Sequence, residues 1–375
     1  MNRIKGLTVI GATDIVGLAI SGSFWFILAT LIDPKEYGNI FYLLSIAGVI
    51  SLVAPVATNY VNTVYSAKKI NLLIELNIIS VSSTGIAIII LFLLIQRVDI
   101  CVLIFGMVLW NLTTGKMLGE KKFKLYAITN MFQKSTTLIF GLIFYFLFGF
   151  ENIIFALALT YVFHIIIFFR GIEIRKYNFF QIKTKIRFVF SNYLNNLTGM
   201  IGGQVDKLAI GGMFGFTLLG HYSLAIQVIT VMMILPNLIT KYLITEDLYN
   251  IKNSEFRKRI IILAVIISML GIMVIPEIIP HVFPKYMEII EPIRIMSLSI
   301  LPATFAKIQI SKFLSQERGN IILAGSISYV LILFMGIFTL VNSMGIIGLA
   351  ISLVLAFISQ MVTHTIIDKK FPQII

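Results

Sequence analysis

The chain has 375 residues, of which 58% are hydrophobic and only 13% are charged, with a formal net charge of +13. A soluble protein carries nearer a quarter charged residues, so this composition excludes a soluble globular domain and predicts a membrane protein. The basic residues lie between apolar runs and not on one polar face, which argues against a nucleic-acid-binding protein. The single cysteine, Cys101, excludes an internal disulfide and a cysteine-based metal cluster.

Continuous apolar segments such as 86–95 and 153–169 predict an all-α polytopic membrane protein. A helix needs about 20 residues to cross the hydrocarbon core, so about twelve helices use roughly 240 residues and leave only short loops. Asp14 lies inside the first apolar run, which favours an uncleaved first helix over a signal peptide. The helices are predicted at 7–31, 39–58, 72–95, 99–117, 125–148, 152–169, 187–213, 217–240, 259–280, 290–313, 320–341 and 345–366.

The basic residues of the predicted loops alternate along the chain. Most of the 30 lysines and arginines fall in every second loop, and the other loops hold only Lys35, Arg97 and Lys285. Because positive residues concentrate on the cytoplasmic side, this alternation places both termini in the cytoplasm. We expect a multi-pass protein of the cell (inner or plasma) membrane.

An internal repeat divides the chain into halves. The segment 36–38 (EYG), followed by 54–55 (AP), parallels 219–220 (LG), followed by 235–236 (LP). The matching segments have the same predicted orientation, as parallel repeats require. We therefore predict an N-terminal six-helix lobe at 1–170, a cytoplasmic linker at 171–186 and a C-terminal six-helix lobe at 187–375.

Ionisable residues within predicted spans are the first candidates for function, because the bilayer makes them costly. Lys134 lies about nine residues into its helix, or roughly 14 Å from the cytoplasmic end, so we expect it to line a cavity. The alternative is a buried lysine paired with Asp14. Asp14 shares a helix face with Gly11 and Gly17 and is a candidate for coupling or ion pairing. The competing interpretation of that face is close helix packing.

The seventh predicted helix carries a polar stripe that is about 21 Å long. Such a stripe predicts a water-facing wall with Asn192 and Asn196 as substrate contacts, and Asp206 as a second coupling or ion-pairing group. The alternative is hydrogen bonding between helices by the amides. The stripe consists of Asn192, Asn195, Asn196, Gly199, Gly203 and Asp206.

Three further basic residues lie in predicted spans, namely Lys207, Arg294 and Lys307. Lys207 is near an outer end and could extend to the interface, and Pro302 predicts a kink between the other two. With Lys134 they indicate an interior that binds an anion. The four histidines lie far apart, and no motif for catalysis, a cofactor or a metal is present, so we expect a non-enzymatic protein.

Three segments resemble the polysaccharide transporters of the O-antigen flippase type, within the multidrug/oligosaccharidyl-lipid/polysaccharide exporter superfamily. They are 31–38 (LIDPKEYG), 204–212 (QVDKLAIGG) continued by 219–225 (LGHYSLA), and 283–286 (FPKY). The resemblance implies two six-helix lobes around a cavity that opens alternately to either side. The implied substrate is an oligosaccharide on a polyprenyl diphosphate, moved from the cytoplasmic to the outer leaflet.

The resemblance further implies membrane lipids and polysaccharide polymerase machinery as partners, no nucleic acid, and a monomer. One alternative is a drug/cation antiporter of the same superfamily, which would need acidic groups deep in its cavity. Another is a membrane polysaccharide polymerase, although the longest predicted outer loop, near 280–289, is short for outer-face chemistry. A scaffold without transport is the third, and the polar stripes within the helices argue against it.

Overall fold

The structure, a computed structural model, describes residues 3–70, 72–170, 185–190, 192–193, 197, 201–234, 236–237, 243, 254–316 and 318–370. These residues are almost entirely helical, and no strand occurs among them. Within the described ranges, seven helices are long and apolar enough to cross a membrane, or nine if each of two bent pairs is one span. The predicted all-α polytopic membrane fold is confirmed.

The helices of the first part of the chain are numbered α1 to α8. They are α1 (Arg3–Leu31), α2 (Pro34–Val53), α3 (Asn59–Ala67), α4 (Leu73–Ile95), α5 (Val98–Gly119), α6 (Phe123–Phe148), α7 (Ile153–Leu159) and α8 (Val162–Arg170).

A π-helical turn at Ile201–Val205 leads into the remaining helices, which are numbered α9 to α15. They are α9 (Asp206–Phe214), α10 (Phe216–Met232), α11 (Ser254–Met273), α12 (Ile275–Val282), α13 (Ile290–Ser297), α14 (Ile300–Ser315) and α15 (Gly319–Lys370). Short 3-10 turns occupy Phe150–Asn152 and Pro284–Ile289.

The outward faces of these helices are apolar. On α4, Ile86 and Ile89 are each 62% exposed, and Leu93 and Leu94 are 72% and 76% exposed. Exposing such a side chain to water costs about 1.5–3 kcal/mol of free energy relative to burying it. Contact with lipid tails carries no such cost. The faces therefore fit contact with the bilayer.

The second predicted helix, 39–58, is displaced in the structure. It spans Pro34–Val53, because proline suits the first helical turn, where its missing N–H is not needed. Where the sequence predicted the end of that helix and a loop, a separate helix, α3, forms at Asn59–Ala67. Its start is capped by Thr58, whose Oγ1 accepts a hydrogen bond from the Val61 N–H at 3.2 Å.

Several other spans are broken. Helices α11 and α12 meet at 44°, and so do the segments Pro284–Ser297 and Ile300–Ser315. The second bend confirms the kink predicted from Pro302, whose ring clashes with the carbonyl four residues earlier, at Leu298. Gly345 has φ 55° and divides α15 into two parts, 319–344 and 346–370, close to the two helices predicted there.

The chain divides into two compact units. Unit 1 comprises Met1–Leu28 and Ile40–Leu208, and unit 2 comprises Ala29–Asn39 and Ala209–Ile375. The connection between α1 and α2 thus belongs to unit 2. The six-helix lobes at 1–170 and 187–375 stay a prediction, and most of the linker 171–186 lies outside the described residues.

In unit 1, glycines bring α3 against α5. A Cβ atom at Gly115 would overlap the Asn59 carbonyl, and one at Gly119 would overlap the Thr63 carbonyl. The Asn59 side chain then reaches α5 and donates to the carbonyl oxygen of Asn111 at 2.9 Å. Small residues four apart allow this close backbone approach, which is the usual way helices associate in lipid.

In unit 2, parts of three stretches that carry the family resemblance, 31–38, 219–225 and 283–286, lie in contact. Lys285 Nζ lies 2.9 Å from Asp33 Oδ1. The Tyr286 hydroxyl donates to the Ile32 carbonyl at 3.3 Å. Together with the close contact at Gly38 and Gly220, these bonds join the start of α2, the start of α10 and the turn before α13.

Candidate functional site

Lys134 lies on α6 and packs against α1. A Cβ atom at Gly17 would lie 3.5 Å from Lys134 Cγ, so the absence of a side chain at Gly17 makes room for the lysine stem. Its side chain is half-buried within a membrane span. Within the described part of the chain, its ammonium group makes no hydrogen bond or ion pair. A cation in this setting can hold an anion.

Asp14 lies on α1 and interacts with the same helix. The Tyr126 hydroxyl donates a hydrogen bond to Asp14 Oδ1 at 3.2 Å. Tyr126 is eight residues before Lys134, or about 12 Å along the helix axis. Helices α1 and α6 therefore bring an acid and a base to one interface, but the alternative of an Asp14–Lys134 ion pair is not what the described residues show.

The other polar side chains of α6 have internal partners in unit 1. Asn130 Oδ1 accepts from Trp110 Nε1 at 3.0 Å, and Gln133 Nε2 donates to Thr160 Oγ1 at 3.2 Å, where α7 gives way to α8. These hydrogen bonds account for much of the polarity that the sequence shows around Lys134. The buried polar residues of α6, none more than 8% exposed, are Thr129, Asn130, Gln133, Thr136 and Thr137.

Asp206 and Lys207 form a pair at the start of α9. Asp206 is 3% exposed, and its Oδ1 lies 3.5 Å from Lys207 Nζ. Lys207 also donates to the Gly203 carbonyl at 2.6 Å, in the π-helical turn. The lysine therefore folds back onto its own backbone and does not extend outward. Such π-helical turns are frequent at functional sites.

The predicted stripe on the seventh helix is described only in part. Asn192 Nδ2 donates to the carbonyl of Phe188, four residues earlier, at 2.8 Å, and this bond uses one of its amide hydrogens. Gln204, which the sequence analysis did not single out, packs against Gly48 of α2: a Cβ atom there would lie 2.8 Å from Gln204 Cδ. The water-facing wall stays a prediction. Asn195, Asn196 and Gly199 lie outside the described residues.

In unit 2, Lys307 and Arg294 have separate partners. Lys307 Nζ donates to Asn237 Oδ1, a neutral amide that the sequence analysis missed. Arg294 pairs with Glu291 one turn earlier, and its side chain is 40% exposed. An exposed ion pair of this kind contributes little to the stability of the fold. The structure does not bring these two cations together at a common partner.

The histidines have unrelated surroundings. His164 Nδ1 lies 2.9 Å from Thr113 Oγ1, and His221 Nδ1 lies 3.1 Å from Glu288 Oε2. Over the described ranges, no group of three or more His, Cys, Asp or Glu side chains could hold a metal ion.

No family model and no curated protein matches the chain. Solved structures do match its fold. A multidrug resistance MATE family transporter of the MOP superfamily, in an inward-facing conformation, is 14% identical, with a TM-score of 0.68 over 94% of this chain and 93% of that chain. The lipid II flippase MurJ, in an inward closed conformation, is 13% identical, with a TM-score of 0.68 over 99% of this chain and 88% of that chain.

A third match is a MOP superfamily transporter from Pyrococcus furiosus, described by a reverse polarity of its binding pocket that suggests a different function. It is 15% identical, with a TM-score of 0.55 over 97% of this chain and 92% of that chain. At these identities the likeness establishes the fold alone. The chain has a MATE-like fold over nearly its whole length.

Proposed function

We propose that this chain is a flippase for an oligosaccharide linked to a polyprenyl diphosphate. It would work by alternating access in the cell membrane, moving the lipid-linked glycan from the cytoplasmic to the outer leaflet for a polysaccharide such as O-antigen or capsule. We further propose that it acts as a monomer that delivers its product to polysaccharide polymerase machinery. The observation that carries the proposal is the half-buried Lys134 ammonium within a membrane span.

The chemistry of the substrate fits this cation. A diphosphate offers several charged acceptor oxygens, and charge-assisted hydrogen bonds are about twice as strong as neutral ones. Lys134 has no anionic partner among the described residues, so a diphosphate would not have to displace one. A substrate that brings a negative charge offsets the cost of keeping the ammonium within the bilayer.

The other predicted cations are not equivalent to Lys134. Lys307 donates to a neutral amide and not to a carboxylate, so we propose it as a second diphosphate ligand. Lys207 and Arg294 already lie beside carboxylates, those of Asp206 and Glu291. These carboxylates offset their charge and so weaken their attraction for an anionic substrate. Asp14 and Asp206 are proposed as coupling or ion-pairing groups.

The solved structures with a similar fold also support the flippase proposal. One neighbour is named a lipid II flippase, and another is a transporter in an inward-facing conformation. A fold shared by such proteins is suited to a lipid-linked substrate and to alternating access. This support comes from the fold alone. The preference for an anionic substrate is inferred from the lysines of this chain.

A drug/cation antiporter is the second candidate, and Asp206 is the residue that favours it. Asp206 is 3% exposed and could bind a cation or a proton. Its carboxylate, however, lies 3.5 Å from the Lys207 ammonium, which competes with any cationic drug. Lys134 and Lys307, which have no carboxylate partner in the described part of the chain, also disfavour a cationic drug.

The deciding experiment measures movement of a fluorescent polyprenyl-diphosphate-linked glycan between leaflets of vesicles that contain the purified protein. An impermeant reductant added outside destroys only the label in the outer leaflet. We expect the accessible fraction to rise with the amount of protein, and not in protein-free vesicles or vesicles that contain an unrelated membrane protein. Drug efflux against a proton or sodium gradient, without glycan movement, would replace the flippase by the antiporter. Chain growth from repeat units would indicate the polymerase.

A further inference from the structure

A second basic site lies away from Lys134, where α4 and α6 begin and α5 and α8 end. These helix ends enclose a cavity of about 260 Å³. An adjoining cavity of about 640 Å³ shares part of its wall, including Lys116 and Lys122. Both cavities lie within unit 1, at the ends that carry basic loops, which the positive-inside pattern places toward the cytoplasm.

The charge of the first cavity is unbalanced. Among the described residues it is lined by three cations, Lys116, Lys122 and Arg170, and by one carboxylate, that of Glu120. Glu120 bridges the two lysines, with 2.6 Å to Lys122 Nζ and 4.0 Å to Lys116 Nζ. Glu75, buried on α4, does not line the cavity. The lining therefore keeps a positive charge that favours an anionic ligand.

Most of the other side chains that line the cavity are apolar. They include Leu73 and Ile74 of α4 and Phe168 of α8, and such a wall suits hydrocarbon better than water. Asn77 of α4 also lines the cavity, is 8% exposed, and its Oδ1 accepts no hydrogen bond from any described residue. A hydroxyl of a ligand headgroup would satisfy that oxygen.

We propose that this cavity binds the phosphate headgroup of an anionic phospholipid from the surrounding leaflet. The phosphate would lie among Lys116, Lys122 and Arg170, a headgroup hydroxyl would donate to Asn77, and an acyl chain would lie against the apolar wall. Basic pockets between helices on the cytoplasmic side of a membrane protein have the right chemistry for such headgroups. The site is distinct from the proposed transport site and does not depend on the flippase assignment.

Binding is tested by titrating fluorescent phosphatidylglycerol into the full-length protein in detergent. We expect phosphatidylcholine with the same acyl chains to bind at least about tenfold more weakly, because it carries no net charge. Millimolar inorganic phosphate should not displace the lipid, since it lacks acyl chains. Equal binding of phosphatidylcholine would overturn the headgroup assignment. Displacement by free phosphate would overturn the lipid assignment.

Three variants locate the site. The triple variant Lys116→Gln, Lys122→Gln, Arg170→Gln should raise the Kd for phosphatidylglycerol at least about tenfold. The control Lys258→Gln, Arg259→Gln, Lys369→Gln removes three charges from unit 2 and should leave the Kd within about twofold. The charge-preserving variant Lys116→Arg, Lys122→Arg, Arg170→Lys should bind like the unmodified protein.

The charge-preserving variant also guards against a folding artefact, because it changes the same three positions and keeps their charge. If the cavity triple variant and the unit 2 control weaken phosphatidylglycerol binding equally, the lipid is held by overall charge. The proposed cavity would then be wrong. Polyprenyl diphosphate that binds in place of phosphatidylglycerol, with the phospholipid excluded, would assign the cavity to the transport substrate and would likewise overturn the proposal.

Discussion

Lys134, which lies in a membrane span, and Lys207, which lies in a predicted one, are held in different ways. Lys207 lies beside a buried carboxylate and donates to a backbone carbonyl, so its charge is compensated within its own turn. Lys134 lies against Gly17, and its ammonium has no partner in the described part of the chain. A cation beside a buried carboxylate has its charge offset within the protein, whereas an uncompensated one is available to a ligand.

Replacing Lys134 by glutamine should therefore lower the rate of glycan flipping at least about tenfold, because one charge-assisted hydrogen bond contributes about 1.5–3 kcal/mol. Lys134→Arg should retain part of the rate, since the charge is kept. The measurement is the leaflet-movement assay at matched protein amounts. Lys124→Gln, on the exposed first turn of the same helix, is the control and should keep the full rate. Equal rates for Lys134→Gln and Lys124→Gln would remove Lys134 from the substrate site.

The sequence predicts the depth of such a residue better than it predicts its partner. Depth follows from counting residues along an apolar helix, which places Lys134 well inside the bilayer. The partners of Asp14 and Lys307, namely Tyr126 and Asn237, come from distant parts of the chain. Only the packing of the helices brings them together, so local patterning could not name them.

At the scale of helices, the contact between the starts of α2 and α10 is reciprocal. A Cβ atom at Gly38 would overlap the Phe216 carbonyl, and a Cβ atom at Gly220 would overlap the Pro34 carbonyl. Each overlapped residue is four positions before the other glycine. Two copies of one repeat related by a twofold axis make such a contact, and the sequence had aligned the same two glycines from its internal repeat.

Gly38→Ala and Gly220→Ala should each destabilise the protein by about 2 kcal/mol or more, because a backbone carbonyl cannot move aside as a flexible side chain can. The measurement is thermal unfolding in detergent. Gly22→Ala on α1 is the matched control, since a Cβ atom there meets nothing within 4 Å. It should be neutral or slightly stabilising. If Gly38→Ala unfolded at the same temperature as Gly22→Ala, the close contact would not exist in solution.

Helix existence was predictable from apolar runs, but helix ends were not. Pro34 begins α2 five residues before the predicted start, because the apolar run alone does not show that a proline and an acidic first turn suit a helix N-terminus. Helix α3 was missed, since its nine residues are too polar and too short to be recognised as a span. It packs closely against the glycines of α5, a contact that no local pattern reveals.

For the molecule as a whole, the position of the basic residues follows from the apolar character of the helices. Only 13% of the residues are charged, and most of the basic ones lie between the apolar runs of the sequence, where positive residues are expected to set the orientation. The cavity of Lys116, Lys122 and Arg170 lies at such an end. The same charges can therefore set the topology during insertion and bind anionic lipid afterwards.

The topology can be tested by single cysteines in a Cys101→Ser background, because Cys101, which is buried, is the only cysteine in the chain. Lys35→Cys and Glu151→Cys lie at predicted outer ends, and Lys121→Cys and Lys258→Cys at predicted inner ends. All four positions are exposed. An impermeant maleimide applied to intact cells should label the outer pair and should label the inner pair only after the membrane is permeabilised.

The inner pair tests the part of the chain that the structure describes least. Four predicted spans separate residues 121 and 258, and an even number returns the chain to the side from which it started. The seventh helix, with its polar stripe, is the span whose apolar character is weakest. If Lys121→Cys were protected while Lys258→Cys reacted from outside, the number of crossings between them would be odd. That result would contradict the predicted topology between these residues, and the seventh helix, with its water-facing wall, would be the first span to test by further cysteines.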